Sequence, residues 1–95
     1  MLFAIHALDK PGALDARLAN YEAHKAFLAD TSALNVRIVM SGPLVADDGT
    51  AMIGSLFVVE AADRATVERF NAADPFWQAG IWERVSITGF IRRQG

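Results

Sequence analysis

The chain has no cysteine, which excludes disulfides, thiolate zinc sites and thiol catalysis. Charge of either sign is scarcely in excess. A net charge of −2 at pH 7 leaves no electrostatic footprint for DNA or RNA. Long apolar runs are missing too: no stretch approaches the ~20 residues of a membrane span. The N-terminus lacks the basic start and apolar core of a signal peptide. A cytoplasmic location is expected, with neither nucleic acid nor membrane as a partner. Proline is sparse, and each of its three occurrences marks a boundary.

What is present suits a small globular protein. Ninety-five residues, 53% hydrophobic and 21% charged, suggest one domain spanning 1–95. That apolar share is slightly high for the length and hints at an interface.

Residues 2–8 alternate as a strand, with Phe3, Ile5 and Ala7 on one face and Ala4, His6 and Leu8 on the other. Both faces are largely apolar, as in an interior strand covered on both sides. Asp9-Lys10-Pro11-Gly12 is a turn. Residues 13–31 read as one long helix, free of internal glycine or proline. Strands follow at 35–46 and 51–60, joined by the hairpin signal Asp48-Gly49. Pro43 cannot donate to a ladder, so the 35–46 strand belongs at an edge. Asp63 is a suitable N-cap for a helix over 64–72. Asp74-Pro75 repeats the signal for a short helical turn that stops at Gly80, with proline at its favoured first position. Residues 81–92 form the last strand. The order β-α-β-β-α-β is the ferredoxin-like arrangement, an α+β fold with a four-stranded antiparallel sheet. Two helices cover one face of such a sheet. The first and third strands are apolar on both faces, which predicts a homodimer through the open sheet face.

The chemistry-bearing side chains gather on two segments. At 100° per residue, Leu14, Arg17, Tyr21, His24 and Leu28 fall within roughly an 80° arc of the first helix. Asn20, Lys25 and Asp30 face away. An arginine and a histidine on an apolar stripe call for partners. His24 carries the side chain that changes charge near neutrality. A carboxylate on one ring nitrogen would fix its tautomer and leave the other nitrogen for substrate. Asp74 either simply caps the Pro75 helix or also supplies that carboxylate, with one oxygen taking the cap and the other holding His24. Arg17 would grip a ligand anion through its planar fork, or pair with an acid such as Glu60 or Asp74. Tyr21 is a hydrogen-bond donor or a core aromatic. Ser41 precedes Gly42-Pro43 and suits ligand binding better than nucleophilic attack, because nothing resembles a nucleophile elbow. Phe76, Trp77 and Trp82 either wall a pocket for a ring-shaped ligand or belong to the core. Zinc on His6, His24 and carboxylates has no spacing signature, and no metal is expected.

Arg17 and His24, then Ser41-Gly42-Pro43-Leu44, Gly54 and Asp74-Pro75-Phe76 are spread along nearly the whole chain. In these the sequence resembles the YciI-like (YCII-domain) family of the dimeric α/β-barrel group. The resemblance implies a ferredoxin-like subunit that pairs sheet to sheet, with a pocket between helix and sheet. It also implies an active site at the positions of His24 and Asp74. Related proteins include a dehydrochlorinase acting on a chlorinated hydroxyquinol.

Two functions are consistent with these residues. One is a cofactor-independent lyase or isomerase acting on a small hydroxylated cyclic or aromatic compound. His24 and Asp74 would be catalytic, and Arg17, Ser41, Tyr21 and Phe76 would bind the substrate. The other is a non-catalytic metabolite-binding or accessory module using the same pocket.

Overall fold

Alternation along the first strand, β1 (Leu2–Asp9), turns Phe3, Ile5 and Ala7 to one side. In the computed structural model, which describes residues 1–95, those three side chains are buried. β1 lies between β3 (Met52–Glu60) and β4 (Trp82–Phe90), and β2 (Arg37–Val45) completes the sheet beyond β3. All neighbours are antiparallel. The strands that are apolar on both faces therefore hold the centre, and Pro43 lies on an edge strand. Gly54 allows the central strands their close approach: a Cβ there would collide with the carbonyl oxygen of Ala7.

The first helical region departs from expectation. It comprises two helices, α1 (Leu14–Ala19) and α2 (Tyr21–Ala29), which meet at Asn20. Asn20 sits at φ −104°, ψ 4°, and its side-chain amide donates to the Ala16 carbonyl at 2.9 Å. Competition from that amide bends the chain. Backbone bonds from Asn20 to Ala16 and from His24 to Asn20 persist across the bend. The polar-bearing stripe therefore survives, and Arg17 and His24 are both buried.

Beyond a short 3-10 turn (Ser32–Leu34), Asn35 adopts the left-handed conformation, φ 59° and ψ 35°. It delays β2 to Arg37, later than the expected residue 35. The next helix, α3 (Arg64–Ala73), starts at the Asp63 cap, whose carboxylate accepts the Thr66 N–H at 2.9 Å. Val67 and Phe70 are buried beneath it. Asp74 ends α3 and caps α4 (Pro75–Gln78), with Pro75 in the first turn. β4 stops at Phe90, so Ile91, expected within the strand, is exposed.

The helices share one side of the sheet, where Phe3, Ile5, Phe57 and Val59 meet Val67, Phe70 and Phe76. Burying each such side chain contributes about 1.5–3 kcal/mol. Ala4, Leu56 and Val58 on the other face are half-buried, while His6 and Met40 are exposed. At the β4 edge, Arg64 Nη1 donates to the Ile87 carbonyl at 2.6 Å.

Candidate functional site

Asp74 has an extended backbone, φ −66° and ψ 130°, as the residue before a proline prefers. This places its carboxylate under the first turn of α4, where Oδ1 accepts the Phe76 N–H at 2.8 Å. The same oxygen lies 2.8 Å from His24 Nδ1. The expected division of labour between the two oxygens is thus not found. One oxygen takes both contacts, and Oδ2 is buried without a partner. Since the Phe76 N–H can only donate, Oδ1 must accept there, and the ring nitrogen facing it carries a proton. His24 Nε2 has no hydrogen-bond partner in the chain and is not sealed from solvent.

Phe76 fixes the plane of the imidazole. Its ring stacks on that of His24 with centroids 3.9 Å apart and planes 6° apart. Phe57 meets His24 edge-on at 6.0 Å. The ring is therefore pinned at one nitrogen and flattened on one face.

Arg17 pairs with neither Glu60 nor Asp74. Asp9, read from sequence only as a turn residue, ends β1 and holds the guanidinium with both oxygens: Nε to Oδ2 at 2.7 Å and Nη2 to Oδ1 at 2.8 Å. Nη2 also donates to Ser55 Oγ at 2.9 Å. Side-chain exposure is only 4% for Arg17 and 6% for Asp9, so this is a buried fork-to-fork pair. Nη1 makes none of these bonds. The guanidinium carbon lies 4.8 Å from the Phe76 centroid, so one aromatic ring contacts both basic side chains.

These groups border a cavity of about 540 Å³ between α1–α2 and the β2–β3 half of the sheet. Arg17, Tyr21, His24, Ser41 and Phe76 all line it, and Asp74 lies behind His24. Sequence reasoning missed Asp9, Ser55 and Lys25. Ser55 and Lys25 line the cavity, although angular position puts Lys25 on the far side of its helix. A long lysine stem reaches around a helix shoulder in a way that angular position alone does not show. Trp77 and Trp82 are not in the wall. Trp77 is exposed, and Trp82 is buried behind the wall, edge-on to Phe57 and Phe76. His6 lies on the opposite face of the sheet.

The element order and the four-stranded antiparallel sheet define a ferredoxin-like domain of the dimeric α/β-barrel group. Residues 1–91 match the YCII-related domain, and the chain belongs to that family. It is 34% identical to protein YciI of Escherichia coli O6:H1, an alignment covering 95% of this chain and 96% of that one. It is equally, 34%, identical to the 5-chloro-2-hydroxyhydroquinone dehydrochlorinase of Burkholderia phenoliruptrix AC1100, solved in complex with 2,5-dihydroxybenzoquinone. There the TM-score is 0.84, over 96% of this chain and 94% of that one. A solved antibiotic biosynthesis monooxygenase, 19% identical with a TM-score of 0.53, shares the fold alone. No helix is long and apolar enough to cross a membrane.

Proposed function

We propose that the chain is a lyase or isomerase acting on a small hydroxylated cyclic or aromatic compound, and that it works as a homodimer paired through the open sheet face. The observation that carries this reading is the 2.8 Å contact of His24 Nδ1 with Asp74, which leaves Nε2 for a ligand in the cavity. Asp74 holds the tautomer and faces the charge that develops on the ring. Nε2 removes a proton from a ring hydroxyl or an adjacent carbon, and the electron pair moves into the ring. In an elimination that pair takes up a proton at the ring carbon bearing the leaving group, and removal of a second hydroxyl proton then expels the group with its electron pair and leaves a quinone; in an isomerisation the proton returns at another position. Neither step needs an oxidant or a cofactor. Arg17 Nη1 and the Ser41 hydroxyl meet the oxygen on which charge accumulates, and Tyr21 and Phe76 bound the ring. Likeness to a dehydrochlorinase supports the elimination form.

The test is release of chloride from 5-chloro-2-hydroxyhydroquinone. Loss of a general base costs about 10²- to 10⁴-fold in rate, so His24→Ala should fall by that factor. Equal turnover by parent and variant would end the proposal. Binding that raises the melting temperature without consuming the compound would mark a binding module instead. A monomer by light scattering at micromolar concentration would remove the dimer.

A further inference from the structure

The cavity wall has a one-sided charge. Arg17, His24 and Lys25 line it, with hydroxyls from Tyr21, Ser41 and Ser55, and no aspartate or glutamate is among the lining residues. This occurs in a chain with 11 acidic residues against 9 Lys and Arg. The two carboxylates that contact these basic groups, Asp9 and Asp74, are occupied by Arg17 and His24. Arg17 is buried and already neutralised by Asp9, whereas Lys25 is exposed and has no ion-pair partner in the chain. Lys25 is therefore the uncompensated cation of the wall.

Size adds a second constraint. A cavity of about 150 Å³ is enough to take up benzene. The space here, about 540 Å³, is several times larger. Arg17 and Lys25 line it from successive helices, Arg17 from α1 and Lys25 from α2. A single ring placed against Phe76 and His24 therefore fills only part of this space.

Building on the function proposed above, we infer that the ligand is two-ended: a hydroxylated ring against Phe76, His24 and Arg17, and an acidic side group that reaches Lys25. Lys25 is then the residue that selects acid-bearing rings over plain ones. It takes no part in moving the proton.

The experiment compares two probes with the same ring, 2,5-dihydroxyphenylacetate and methylhydroquinone, titrated under anaerobic conditions. Dissociation constants are read from the His24 ring signals by NMR. In the parent the carboxylate probe binds about fivefold tighter, the scale of a solvent-exposed ion pair. Lys25→Gln erases that preference without weakening methylhydroquinone, and Lys25→Arg restores it. If both probes perturb His24 but show no preference, or if the preference survives in Lys25→Gln, the inference is overturned while the proposed site stands. If neither probe perturbs His24, both are overturned.

Discussion

Replacing Asp74 separates geometry from charge at the dyad. In Asp74→Ala two contacts disappear, the cap to the Phe76 N–H and the bond to His24 Nδ1. Loss of the cap costs about 1 kcal/mol. Loss of a hydrogen bond to a buried charged acceptor costs about 1.5–3 kcal/mol. Together these come to about 3 kcal/mol, which for a domain of this size lowers the melting temperature by about 12–24 °C. Asp74→Asn differs in kind. Its amide oxygen can replace Oδ1 toward both donors, and its NH₂ then occupies the place of Oδ2, which has no partner. An unpaired buried donor costs about 1–3 kcal/mol, but the substitution also removes a partly unsatisfied buried carboxylate. The net loss should stay below about 1.5 kcal/mol. The assay is calorimetry combined with ¹⁵N NMR of the His24 ring. In the parent and in Asp74→Asn, Nδ1 reads as pyrrole-like and Nε2 as pyridine-like at alkaline pH; in Asp74→Ala the tautomer is released. Turnover in Asp74→Asn falls about ten- to hundredfold through the missing charge alone. Three results refute this account: a melting temperature unmoved by alanine, asparagine as damaging to stability as alanine, or a tautomer that ignores both changes.

Asp9→Ala leaves the Arg17 guanidinium buried and uncompensated, at a cost of about 3–5 kcal/mol. Denaturant midpoints will show this, with Arg17→Met/Asp9→Ala together less damaging than Asp9→Ala alone. Gly54→Ala forces a Cβ against the Ala7 carbonyl and should cost about 1–3 kcal/mol by thermal melts. The Thr66 hydroxyl and N–H hold the Asp63 carboxyl below its ordinary range. Its stabilisation is therefore complete above the ordinary carboxylate value of about 4 and is lost as pH falls through the lower folded value. The gap in melting temperature between the parent and Asp63→Ala should close on strong acidification.

The sequence made the sheet largely legible, because strands that are apolar on both faces have to be central and a proline-bearing strand has to lie at an edge. The two aspartate caps were legible for a local reason: each is tied to N–H groups within three residues of it. Asn20 escaped notice because the break preserves helical bonds on both sides and has neither glycine nor proline to announce it. The partner of Arg17 escaped because Asp9 comes from the end of a strand, and Ser55 from another strand. Those contacts depend on how the helices settle on the sheet, which periodicity does not encode. The aromatics after Asp74 show the same limit. Phe76 and Trp77 are adjacent in sequence, yet one lies against the imidazole and the other faces solvent.

The guanidinium of Arg64 on the Ile87 carbonyl bears on how copies of the chain can meet. An edge strand is a template onto which a foreign strand can zip, and proteins blunt such templates with charge or proline. Here each border of the sheet has one of these devices: Arg64 at β4 and the N–H-less Pro43 at β2. Ribbon-like polymerisation is therefore disfavoured on both sides, even at the high concentrations that favour it. Substituting Arg64 would reopen one border, and the damage would show as fibrillar aggregation on prolonged incubation, not as a weaker fold.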